Sequence, residues 1–179
     1  MGNIHFIALT RERVACVDEE DYERVSKHSW HSRQAKDKHG TRYYAGTAIW
    51  SPITKKLQYV QLHRFVMDEY DPNVFIDHMD HNGENCLKQN LRVCTNGQNV
   101  QNQRVRNHTA CKMKGVKPVT GCDTFQVSIR IDGKYTYMGL TKTIAEGGHI
   151  YDFWAAYFYK EFAWFNFPTK KFETNLNAL

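Results

Sequence analysis

Apolar and polar positions alternate most strictly between Phe125 and Ile131. Phe125, Val127, Ile129 and Ile131 point one way, and Gln126, Ser128 and Arg130 the other, which predicts a strand with one buried face. Asp132-Gly133 is a two-residue hairpin signal that pairs Ile131 with Lys134, Arg130 with Tyr135 and Ser128 with Tyr137. Directly paired residues share a face, so Tyr135 and Tyr137 join the polar set. Thr143-Ile144-Ala145-Glu146 then reads as a capping box, opening a helix through Ile150, Phe153, Trp154, Tyr157 and Phe158 that is apolar enough to cover the sheet. Gly147 and Gly148 weaken its first turn.

Upstream the pattern is less regular. Short apolar runs at Ile4 to Leu9 and Val14 to Val17, a Lys/His/Gly break near Asp37 to Gly40 and strand-like Tyr43 to Trp50 predict irregular β structure over the first sixty residues. One short helix is expected in the acidic stretch Asp18 to Glu23, with Trp30 and Trp50 in the core. Beyond Leu62, Val74-Phe75-Ile76 runs into Asp77-His78, a polar loop follows, and Leu91 to Cys94 returns, predicting a hairpin with a long loop. Thr95-Asn96-Gly97-Gln98 caps a helix carrying Asn99 and Asn102 on one face. Residues 104–112 are basic and polar without apolar period, and read as a linker.

Composition narrows the class. With 179 residues, 41% hydrophobic and 24% charged, the chain is expected to be globular, in one ordinary domain or two small ones. A formal charge of +5 favours a polyanionic partner without requiring one. Neither a secretory leader nor an apolar run of membrane-spanning length is visible, and Phe6 stands where a myristoylation motif needs Ser or Thr. Five cysteines, an odd number without a CxxC pair, argue against a disulfide framework; Cys86, Cys94, Cys111 and Cys122 match no familiar zinc spacing, so structural zinc is not expected.

Candidate chemistry lies in residues 62–103. Leu62-His63-Arg64, Asp77-His78-Met79-Asp80, Asn90-Leu91-Arg92, Thr95 and Asn99 form an ordered series in which Asn90 follows His78 by twelve positions and Asn99 follows Asn90 by nine. This series resembles the single-metal HNH endonucleases of the phage homing type, in their His-Asn-Asn variant. Hydrolysis of a phosphodiester needs a base for water and positive charge for the transition state. His78 has a reference pKa near neutrality and suits the base. Asp77 and the Asn99 amide are hard oxygen ligands suited to one Mg²⁺ or Mn²⁺. Regular strand geometry sends adjacent side chains to opposite faces, so the strand is expected to end or twist between Asp77 and His78. The resemblance implies that Asn90 bonds loop backbone and fixes the imidazole. His63 reads as structural, and Asp80 and His81 are minor candidates. The chain departs from the family in the loop, where His81 and Asn85-Cys86-Leu87 replace its usual Gly and Asp-Asn-Arg element.

A second resemblance covers 114–168. Lys114-Gly115-Val116, Met138-Gly139, Tyr151-Asp152, Ala155-Ala156 and Asn166-Phe167-Pro168 resemble the ethylene-response-factor (apetala-type) DNA-binding domain. It implies that Lys114, Lys117, Ser128, Arg130, Tyr135 and Tyr137 face DNA, with Gln126 added by the alternation. Such a basic, aromatic sheet face fits a major groove.

The expected fold is therefore α+β: a ββα-metal nuclease unit with an N-terminal β-rich region in 1–106 (core about 62–106), a linker 107–112, a three-stranded antiparallel sheet packed on one helix in 113–168, and a tail 169–179. The expected function is metal-dependent cleavage of double-stranded DNA in the cytoplasm, that of a bacterial host if phage-encoded, with no membrane and no obligate protein partner. The alternative is a non-catalytic DNA-binding or regulatory protein of the same fold.

Overall fold

A computed structural model describes residues 3–37, 40–51, 54–105 and 109–167. Parts of the expected linker, Pro168 and the expected tail lie outside these described residues. The chain divides into two compact units, 1–99 and 100–179. Among the described residues it mixes helices with four small antiparallel sheets, compatible with an α+β class. No helix among the described residues is long and apolar enough to cross a membrane.

In the first unit, β1 (Ile4–Ala8) pairs with β2 (Val14–Asp18), and α1 (Glu19–Ser26) follows. The acidic stretch forms its helix because Glu19, Glu20 and Asp21 sit in the first turn, where the helix dipole favours negative charge. β3 (His31–Asp37), β4 (Gly40–Ser51) and β5 (Lys56–Gln61) form a three-stranded sheet in the order β3-β4-β5. This is more regular than the expected irregular β structure, with an unbroken register from His31↔Gly46 to Asp37↔Gly40. Trp30 is in the core and donates its indole N–H to the Val25 carbonyl at 2.9 Å. Trp50 is 59% exposed, correcting the expectation that it is buried. It lies near the end of β4 opposite Leu57, itself exposed, and neither joins the hydrophobic cluster formed by the described residues.

α2 (Leu62–Val66) splits its residues between core and site. Leu62 and Val66 join Val17, Val25, Ala45 and Leu91 in the hydrophobic cluster, each large aliphatic side chain contributing about 1.5–3 kcal/mol by burial. Arg64 donates to the carbonyls of Glu69 (3.2 Å), Asp71 (3.0 Å) and Val74 (2.7 Å), fixing the segment that leads into β6 (Phe75–His78). β6 pairs with β7 (Leu91–Cys94), and α3 (Asn96–Asn102) follows. Its capping box is present: the Thr95 amide donates to Gln98 Oε1 and the Gln98 amide to Thr95 Oγ1.

The second unit holds β8 (Val116–Pro118), β9 (Phe125–Ile131) and β10 (Lys134–Thr141) in the order β10-β9-β8, with α4 (Ile144–Tyr159) behind. The hairpin register is the one Asp132-Gly133 predicts, including Arg130↔Tyr135 and Ser128↔Tyr137, with a bulge between Tyr137 and Gly139. Val127 and Ile129 pack with Tyr151, Ala155 and Tyr159 of α4. Gly147 and Gly148 weaken the helix but are buried for a reason. A Cβ on Gly148 would lie 2.7 Å from Met113 Sδ and from the Phe167 ring, so its absence lets these side chains reach the helix.

Candidate active site

His78 ends β6, and both of its ring neighbours come from other elements. The Tyr44 ring of β4 and the His63 ring of α2 lie edge-on to it, with centroids at 5.9 and 4.9 Å. His63 and His78 are both 6% exposed. The Nε2 of His78 and the Nδ1 of His63 are buried without a hydrogen-bond partner among the described residues. Burial lowers His78 to about 4, although Asp80 and Asp77 pull it upward. Burial also lowers His63 to about 3, and the neighbouring His78 adds to this. Both imidazoles are therefore neutral at pH 7, and a neutral imidazole can accept a proton.

Asp77 and His78 both belong to β6, facing Arg92 and Leu91 in the register. The strand thus continues through the pair and ends after His78, where a break or twist between them was expected. Ladder pairing holds both residues, so their side chains leave opposite faces of the hairpin. Asp77 is buried, and its Oδ2 accepts Arg92 Nε at 3.0 Å and Nη2 at 2.8 Å.

The loop after His78 is tied by Asn90. Its Nδ2 donates to Asp80 Oδ1 and to the Asn85 carbonyl, both at 2.9 Å, while its Oδ1 accepts the Asp80 amide at 3.1 Å. The Met79 amide donates to the Asn90 carbonyl at 2.9 Å. Burial opposes ionisation of Asp80, but the Asn82 amide and the Asn85 and Asn90 side chains outweigh it and hold its carboxyl below the ordinary value. His81 sits in the left-handed region at φ 62°, with its amide donating to the His78 carbonyl.

The far side of this loop is anchored to the N-terminal hairpin. The Cys16 amide donates to the Glu84 carbonyl at 3.0 Å and the Cys86 amide to the Cys16 carbonyl at 2.9 Å. Buried Glu84 receives Arg13 Nε at 2.7 Å and the Ser32 hydroxyl at 3.2 Å. The first sixty residues therefore help build the site.

Asn99 is half-buried in α3, its amide donating to the Thr95 carbonyl at 3.0 Å. Asp77 and Asn99 each carry hard oxygen atoms of the type that Mg²⁺ or Mn²⁺ takes, although Arg92 already occupies Asp77 Oδ2. Among the described residues no group of three or more His, Cys, Asp or Glu could hold a metal, so a site of this kind would draw further oxygen atoms from phosphate and water. Burial pushes the Cys86 thiol well up, leaving it unreactive.

The second unit presents an open sheet face. Lys117, Gln126, Arg130, Tyr135 and Tyr137 are exposed on it, with Tyr135 72% exposed. Lys117 Nζ and Arg130 Cζ lie 5.3 and 5.9 Å from the Tyr135 ring centroid. Ser128 is not on this open surface: it is 7% exposed, a short side chain on the central strand. Lys114 is half-buried; its ammonium group donates to the Gln101 carbonyl, and burial lowers it to about 8.

Tyr44, the pairing of Arg92 with Asp77 and the closeness of His63 to His78 are the parts of the site that sequence reasoning missed. Once β6 and β7 are paired, Arg92 falls opposite Asp77, but a twelve-residue loop leaves that register open in sequence.

No family model matches the chain. Over 167 residues, covering 89% of this chain and 79% of the relative, it is 26% identical to a protein of Acanthamoeba polyphaga mimivirus named "Uncharacterized HNH endonuclease L560".

Proposed function

We propose that this chain is a metal-dependent HNH endonuclease of the phage homing type, hydrolysing DNA phosphodiester bonds with His78 as general base. The observation that carries the reading is a buried, neutral imidazole whose Nε2 has no hydrogen-bond partner among the described residues, at the start of a loop that Asn90 ties down. The distant relative's name supports the same family.

His78 Nε2 takes a proton from water as the water oxygen bonds to phosphorus. The bond to the 3′ oxygen breaks, that oxygen gains a proton from solvent, and the ends are 5′-phosphate and 3′-hydroxyl. Tyr44 and His63 pack against the imidazole and hold its plane. Asn90 is a positioning residue, acting through the loop. Asp77 and Asn99 would hold one Mg²⁺ or Mn²⁺, whose chemistry when bound is positive charge against the phosphate and the leaving oxygen. Burial reduces the basicity of His78 while keeping it unprotonated; Asp80 and Asp77 oppose the loss.

In the second unit, Lys117, Gln126, Arg130, Tyr135 and Tyr137 would grip double-stranded DNA, in the manner of an ethylene-response-factor-type domain in 113–168. Lys114 and Ser128 would support this face from beneath. Incubation of the purified protein with plasmid and Mg²⁺, with and without chelator, tests the reading. Chelator-sensitive nicked or linear product is expected, and intact plasmid at high protein concentration refutes it. The Arg92 fork on Asp77 favours a second reading, a non-catalytic DNA-binding protein, because a guanidinium seated there competes with a cation.

A further inference from the structure

A groove of about 830 Å³ crosses the β3-β4-β5 sheet next to the end of α1. Arg11, Lys27, His28, His31 and Arg33 line it, and no Asp or Glu does. Arg11 and Arg33 are exposed, and among the described residues neither pairs with a carboxylate. Lys27 reaches only exposed Glu23, one helix turn away. The groove's aromatic wall depends on Gly46. A Cβ there would lie 2.0 Å from the Tyr59 hydroxyl oxygen, so only glycine lets that ring lie against β4. Arg33 stands over the Tyr59 ring, 5.2 Å from its centroid.

The register places the groove relative to the candidate active site. Arg33 pairs with Tyr44, His31 with Gly46, and Ala48 with Tyr59. Paired residues and alternate positions share a face, so Arg33, Tyr44, Gly46, Ala48 and Tyr59 lie on one side of the sheet. Tyr44 is also the residue whose ring meets His63 and His78. The basic face and the imidazole thus adjoin through a single tyrosine, within the first unit.

We propose that this groove binds the phosphodiester backbone of the DNA strand running away from the scissile phosphate, giving the nuclease unit its own grip on DNA. The proposal rests on the nuclease reading. Guanidinium groups without carboxylate partners lose little by turning to phosphate oxygens, and acid-free walls keep repulsion out. Arg33 over Tyr59 adds a flat, cationic edge suited to a sugar-phosphate chain.

Fluorescence anisotropy of the full-length protein with a labelled 30-base-pair duplex and a labelled 30-nucleotide single strand, in chelator and over a range of salt, tests this. The Arg11→Ala/Arg33→Ala double variant should bind duplex several-fold more weakly, and its slope of log affinity on log salt should shrink by about 1.8, two phosphates at roughly 0.9 each. Ala48→Glu removes no packing, since Ala48 is exposed on this face, and should weaken binding in the same direction with an unchanged melting temperature. Loss on both probes assigns the groove to one strand's phosphates, and loss on the duplex alone to both strands. Wild-type affinity and slope in the double variant and in Ala48→Glu overturn the proposal while leaving the nuclease reading intact. A wild-type protein that binds neither probe and leaves plasmid uncut defeats the nuclease reading itself.

Discussion

Arg92 places two nitrogens on one oxygen of Asp77 from the position directly across the hairpin, at 2.8 and 3.0 Å, with both side chains largely out of solvent. This pair neutralises the carboxylate on which a cation would depend. If a cation binds at Asp77, the guanidinium must yield, and a phosphate is the natural new partner for it. Arg92→Ala should therefore bind Mn²⁺ more tightly than wild type without DNA, read as free Mn²⁺ by electron paramagnetic resonance. It should also lose stability, because the buried carboxylate loses the guanidinium that donates to its Oδ2. Arg92→Lys should lie between the two. Equal Mn²⁺ affinity in all three proteins would detach Asp77 from the metal.

His78→Ala should lose nearly all cleavage and keep DNA affinity within a few-fold. A general base acts on the attacking water and contributes little to ground-state binding. Plasmid cleavage and anisotropy on the same preparation check this, and undiminished cleavage removes His78 from the mechanism.

Stability should fall early on acidification. His63 and His78 titrate at about 3 and about 4 in the folded chain, below the ordinary 6.5 of an unfolded histidine. Above pH 6.5 neither state binds these protons. Between 6.5 and about 4 the unfolded chain binds them and the folded chain does not, so stability drops as pH falls, by up to about 1.4 kcal/mol per pH unit for each histidine. Urea melts at pH 7 and pH 5 should show the loss before carboxylates titrate. His63→Gln should remove about half of it, leaving the His78 contribution, and an unchanged slope in that variant would mean that His63 is not held neutral by the fold.

Arg130→Ala/Tyr137→Ala in the full-length protein should weaken duplex binding, reduce the salt dependence and broaden the set of cut positions on a plasmid, read by end mapping. Neither side chain is in the core, so the melting temperature should stay within a degree or two. Wild-type affinity and cut positions would remove the open sheet face from DNA recognition.

Local signals carried much of this structure. Asp132-Gly133 set a register that the folded hairpin follows pair by pair, and both capping boxes form. Long-range placement was less legible. Trp50 reads as core by its chemistry, yet it stands exposed near the end of β4. Ser128 shares the period of an open face but is hidden, because alternation says which side a residue takes and not what shields it. His63 and Tyr44 lie far from His78 in sequence, and periodicity has no means of bringing them together.

The stitch between Cys16 and residues 84–86 also sets a timetable. Arg13 and Glu84 are 71 positions apart, so the loop after His78 cannot dock until a long stretch of chain has been made. At about 5–20 residues per second, a nascent chain carries its N-terminal hairpin for several seconds with nothing to receive it. Closing so long a loop is entropically slow, and the site should be among the last parts of its unit to gain amide-exchange protection. If the chain is the nuclease proposed above, it would stay harmless on the ribosome and become competent only after the hairpin carrying His78 is complete.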